Sequence, residues 1–256
     1  MPYPSYICKK RKMKNLLSFV LGFILLFAVY HFPEFFSSFW IMAVCKIGFL
    51  VLAIILCRMQ GWKFLEGYGL GCKKNFIKHL TRGLFIGFIA FSLSLVLLIG
   101  FSFEKLQNIQ PPLFFLRTLP MVLLMTFFPS IAEDILTRGY LYGHLKFLKP
   151  FTWILISASV YLLNHFWRLN EPVSVLLYLF ILGLLLAFCV YVFKSLWLAL
   201  GIHWGSNIAF ELSRQGVDTY GSDSNNSNWA LVLVWSLVLG GFLLKYYRVL
   251  KMPVSN

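Results

Sequence analysis

Three short runs place side chains capable of chemistry inside otherwise apolar sequence. The first is 129–143, PSIAEDILTRGYLYG, where Glu133, Asp134 and Arg138 stand between the apolar stretches 121–128 and 140–145. The second is Tyr161-x-x-x-His165, and the third is His203-x-x-x-Asn207. A charge at the centre of a bilayer costs roughly 2.5–3.5 kcal/mol. Three charges in one apolar segment are therefore expected to be paired, used, or both. On a helix, Asp134 and Arg138 are four apart, share a face and can neutralise each other. Glu133 points about 100° away, along a stripe with Thr137, Tyr140 and His144, and has no local cation. Carboxylates and imidazoles are the side chains of proton transfer near neutral pH. One Glu and two His from different helices, here Glu133, His165 and His203, would also make a three-ligand zinc site with an open water position. No H-E-x-x-H occurs, so the helical zinc-protease arrangement is excluded.

These residues need elements to hold them. Pro150 suits the first turn of a helix, so the chain is expected to fold back at Lys149–Pro150. Glu133 lies 16 residues before Lys149 and His165 lies 16 after it. An antiparallel helical pair would bring both to about the same height, roughly 20–24 Å from the turn. His203 and Asn207 share a helix face, and Glu211 extends it. Gly201 and Gly205 would let a neighbouring helix approach closely.

Glu133-Asp134-x-x-x-Arg138, Tyr161-x-x-x-His165 and His203-x-x-x-Asn207, in that order, resemble the three motifs of the CAAX protease and bacteriocin-processing family of intramembrane endopeptidases, which includes the type II CAAX prenyl endopeptidases. The resemblance covers about 119–212. Asp134 stands where the family usually has a second glutamate, and Tyr161 where it usually has phenylalanine. The resemblance implies peptide hydrolysis within the membrane. In that scheme Glu133 and His165 hold and deprotonate a water, His203 and Asn207 donate to the oxyanion, and Arg138, through Asp134, fixes the motif helix. It implies a metal-free glutamate mechanism, with zinc as the alternative cofactor. Its substrates would be membrane-associated or secreted peptides.

Composition sets the setting. The chain is 59% hydrophobic and 12% charged, against about 25% charged in soluble domains. It is read as an all-α, polytopic membrane helix bundle forming one membrane domain over 1–256. About eight apolar segments of spanning length can be drawn, at 16–32, 36–57, 83–101, 113–147, 150–168, 174–193, 196–212 and 228–247. The fourth is too long for one simple crossing and carries the first motif. Basic connections (Lys9, Lys10, Arg11, Lys12 and Lys14; then 58–82; Lys146 and Lys149; Lys194; Lys245, Arg248 and Lys251) alternate with neutral or mixed ones. That alternation fits an even number of spans with both termini cytoplasmic, in a cell membrane read as a bacterial plasma membrane. The basic block beside an apolar run is a membrane anchor rather than a nucleic-acid patch, so the partners are the lipid bilayer and a peptide or protein substrate, with no nucleic acid. No small-x-small cleavage site follows 16–29, so that run is read as a retained span.

Other features have plain readings. The cysteines form no C-x-x-C and read as small apolar residues. The Asp134–Arg138 pair is structural. His31, His79 and His144 are incidental, and Glu211 is a solvated helix end. Ser157, Ser159 and Ser206 serve helix contacts, since no G-x-S-x-G accompanies them. The polar stretch 213–228 is expected to be mobile. The competing functional class is a non-catalytic membrane scaffold or bacteriocin-immunity protein of the same fold. A transporter would need inverted repeats, which the sequence lacks.

Overall fold

In lipid, backbone amides have no water to pair with, so long apolar runs close their hydrogen bonds internally as helices. The computed structural model describes residues 5–72, 74–220 and 224–250, with side chains throughout except at 5–15, 39, 224–227 and 249–250. Lys73, Asp223, Lys251 and the side chains of the basic block at 9–14 lie outside the described part. Among the described residues there are eight α-helices and one two-stranded ribbon. The order is α1 (Ser5–His31), α2 (Phe39–Met59), α3 (Phe76–Gly100), β1 (Lys105–Ile109), α4 (Pro112–Leu145), α5 (Pro150–Asn164), α6 (Val173–Phe193), α7 (Trp197–Gly216), β2 (Val217–Tyr220) and α8 (Ser224–Leu250).

Eight helices answer to the eight apolar runs, but only six of those described are long and apolar enough to cross a membrane. The exceptions are α5 and α7. With 15 residues, α5 reaches roughly 22 Å, short of the ~30 Å hydrocarbon core. α7 has 20 residues, but His203, Asn207, Glu211, Arg214 and Gln215 dilute its apolar character. The chain is a multi-pass, all-α membrane protein, and the count of crossings set by length and composition is lower than the sequence suggested.

The described residues form two compact units, one up to Leu65 and one from Glu66 onward. The first is a hairpin of α1 and α2, joined through a 3-10 turn at Phe32–Phe35 with Pro33 at its start. Lys46 is buried there, yet its ammonium donates to the Tyr30 carbonyl at 3.1 Å and lies 3.3 Å from the Tyr30 ring centroid. A cation at a helix C-terminus is favourable. His31 is not incidental to this hairpin: it is buried, and its Nδ1 meets Glu34 Oε2 at 2.7 Å.

The second unit is assembled around α3 and α7. A Cβ added at Gly83, Gly87, Gly201 or Gly205 would collide with the partner helix's backbone, at the carbonyls of Leu198, Ile202, Leu80 and Leu84 respectively. The expected close approach at Gly201 and Gly205 is present, and Gly83 and Gly87 are its counterpart on α3. Trp204 fastens α7 to α4 by donating to Thr126 Oγ1 at 3.1 Å. The polar stretch after α7 is ordered up to Tyr220, where the sequence suggested mobility. β2 pairs antiparallel with β1 (Lys105↔Tyr220, Ile109↔Val217), with an irregularity between Leu106 and Asn108. The ribbon ties the α3–α4 connection to the end of α7.

Candidate active site

The first motif lies on α4 at a local change of helix type. Residues Ile135–Gly139 form a π-helical turn, and the N–H of Tyr140 donates to the carbonyl of Ile135, five residues back. Single π turns inside α-helices are often found at functional sites. The extra residue breaks the stripe expected from uniform α geometry. Thr137 Oγ1 turns back onto the Glu133 carbonyl at 2.8 Å. Tyr140 instead faces Tyr68, with ring centroids 5.5 Å apart, and His144 packs on Tyr140 at 4.5 Å. Ser157 of α5 donates to the Thr137 carbonyl at 2.9 Å, pairing an acceptor within the irregular turn.

Glu133 is the centre of the site, only 6% exposed. His165 Nε2 lies 3.5 Å from its Oε1, and His203 Nε2 lies 3.5 Å from its Oε2. Asn164, which the sequence reading missed, donates its side-chain amide to Oε1 at 3.0 Å. Three side chains from α7 and the end of α5 thus converge on one buried carboxylate. His165 terminates α5 in a non-helical conformation (φ −97°, ψ 38°). Its Nδ1 contacts the Tyr161 carbonyl at 2.9 Å. A carbonyl can only accept, so Nδ1 carries a proton, and Nε2 is the nitrogen that faces Glu133.

Asp134 and Arg138 pair, as expected, and both side chains are fully buried. The pair does more than neutralise a local charge. Asp134 Oδ1 also takes His203 Nδ1 at 3.2 Å. A carboxylate fixes the tautomer and orientation of the imidazole it accepts from. The Arg138 guanidinium carbon sits 4.3 Å from the Tyr161 ring centroid, a cation–π contact that ties the first motif to the second. Asn207 stands on the same helix face as His203. Its amide donates to Ser130 Oγ at 2.9 Å, while the Ser130 hydroxyl donates to the Thr126 carbonyl at 2.7 Å. That leaves the second N–H of Asn207 without a hydrogen bond among the described residues.

Glu133, His165, His203 and Asn207 all line one cavity of about 520 Å³. Its apolar wall includes Phe91, Leu95 and Leu98 of α3 and Leu231 and Trp235 of α8. His79 and His144 do not line it. Glu211, at the exposed end of α7, accepts hydrogen bonds from Arg214 and Gln215, and the Glu211 carboxylate raises the Arg214 pKa above its ordinary value.

Among the described residues, no group of three or more His, Cys, Asp or Glu side chains is placed to hold a metal ion.

The fold and site define a multi-pass helical membrane protein with a buried acid–imidazole centre. Residues 115–209 match the family model described as type II CAAX prenyl endopeptidase Rce1-like. The resemblance drawn from the three motifs holds over this segment, which contains every residue of the centre. The family is one of membrane-embedded CAAX-type proteases. No curated protein and no solved structure matches the chain.

Proposed function

We propose that this protein is an intramembrane endopeptidase that hydrolyses peptide bonds of membrane-associated or secreted-peptide substrates, without a metal. The observation that carries this is the convergence of His165 and His203 on buried Glu133, each at 3.5 Å, at the wall of the cavity. Glu133 takes a proton from a water also held by Nε2 of His165. The water oxygen attacks the peptide carbonyl carbon, and Glu133 returns the proton to the amine as the C–N bond breaks. His203 and Asn207 donate to the oxyanion. Asn207 has an N–H for this purpose. Nδ1 of His203 meets Asp134, which leaves Nε2 as the nitrogen turned toward Glu133 and the cavity. The catalytic core is assigned to about 119–212, in a chain that crosses a bacterial plasma membrane with both termini in the cytoplasm.

The test is Glu133→Gln in the purified full chain. Loss of cleavage with unchanged thermal unfolding is expected, and the inactive form should retain its natural substrate for identification by mass spectrometry. Retained cleavage removes Glu133 as the base.

A further inference from the structure

Arg168 is a cation on the wall of the catalytic cavity. It closes the 3-10 turn Phe166–Arg168, and its N–H donates to the His165 carbonyl at 2.8 Å. Three residues per turn bring side chains at i and i+3 into register, so Arg168 stands over His165, and both line the cavity. Its Nη1 donates to the Tyr178 hydroxyl at 3.1 Å, and its guanidinium carbon lies 6.0 Å from that ring centroid. Among the described residues it makes no ion pair. The other arginine on the wall, Arg214, is held by Glu211 through Nε at 3.1 Å and Nη2 at 2.7 Å. Tyr178 therefore fixes one arm of the guanidinium and leaves its remaining N–H donors to the cavity.

From this geometry we infer that Arg168 is a specificity residue that binds a carboxylate of the peptide substrate, next to His165. A planar guanidinium matches a carboxylate with two parallel hydrogen bonds, and one arm is already oriented by Tyr178. The carboxylate is either the free C-terminus of the substrate or an acidic side chain close to the cut bond. This inference rests on the endopeptidase reading.

The experiment starts from a peptide cut by the full-length protein, found in a library of internally quenched peptides. Four versions are compared, with a free or amidated C-terminus, each carrying Asp or Asn beside the cut bond. The wild type should prefer one carboxylate form by about tenfold or more in kcat/KM, most of it in KM. Preference for the free acid over the amide identifies the C-terminus, and preference for Asp over Asn identifies a side chain. In Arg168→Gln the ratio should collapse toward one, and Arg168→Lys, which keeps the charge but not the fork, should retain part of it. Equal rates for all four peptides with the wild type overturn the inference, whatever the variants do. So does an undiminished ratio in Arg168→Gln. If cleavage persists in Glu133→Gln, or no peptide is cut, the endopeptidase reading fails and this inference fails with it.

Discussion

Asn164 donates its side-chain amide to Oε1 of Glu133 at 3.0 Å, the same oxygen that His165 Nε2 approaches at 3.5 Å. Oε2 is left to His203. Asn164 thereby divides the carboxylate, with one oxygen anchored and the other turned to α7.

The first prediction follows from that anchor. Asn164→Ala should lower kcat roughly 10- to 100-fold, the range of a hydrogen bond to a charged group, with less change in KM. Asn164→Asp should be worse, because it places a second carboxylate against Glu133. Steady-state kinetics on any cleaved peptide, with unfolding curves for each variant, checks both.

Asp134 and Arg138 are both fully buried, so removing one partner strands a charge. Asp134→Ala is expected to cost about 3–5 kcal/mol of stability. The double variant Asp134→Leu with Arg138→Met should regain most of that loss. It should not regain activity, because His203 Nδ1 then lacks the acceptor now 3.2 Å away. Denaturation in detergent and cleavage, measured on the same samples, separate the two effects.

Gly87→Ala should destabilise by more than the ~1–3 kcal/mol typical of overpacking. The added methyl meets the Ile202 carbonyl and lies 2.8 Å from the Ser206 backbone nitrogen, and neither can move without shifting α7. Gly240→Ala, with nothing within 4 Å of the new methyl, should be neutral or slightly stabilising. Equal melting temperatures for the two variants would show that α3 and α7 are not packed this closely.

A metal-free centre predicts that exhaustive dialysis against a strong chelator leaves the cleavage rate unchanged, and that elemental analysis finds metal well below one equivalent per chain. Rate loss restored by zinc would reverse this assignment.

Much of the site could be read from the chain itself. Counting outward from Lys149 placed Glu133 and His165 at one height, and the structure brings them together. The i, i+4 spacing of His203 with Asn207 survives because both lie in regular α-helix, and Asp134 still reaches Arg138 although Arg138 lies within the π turn. What could not be read depends on departures from regularity. The π turn at Ile135–Gly139 has no signature in residue type, so Tyr140 and His144 were assigned to the wrong face. Asn164 looked like an ordinary neighbour of His165, because only the non-helical end of α5 lets adjacent residues reach the same carboxylate. The eight apolar runs became eight helices, but two of those described fall short in length or apolarity. The β1–β2 ribbon joins segments more than a hundred residues apart with no hydrophobic alternation to announce it.

The π turn has one further effect. A uniform helix shows its surroundings a single continuous pattern, so whatever changes at one end constrains the other. Here the added residue uncouples the two ends of α4. The length leading up to Asp134 keeps its orientation toward the imidazoles, while the length after Gly139 rests against Tyr68. Shortening 135–139 by one residue would swing one end round the axis, and either the acid would leave its hollow or Tyr140 would lose its seat.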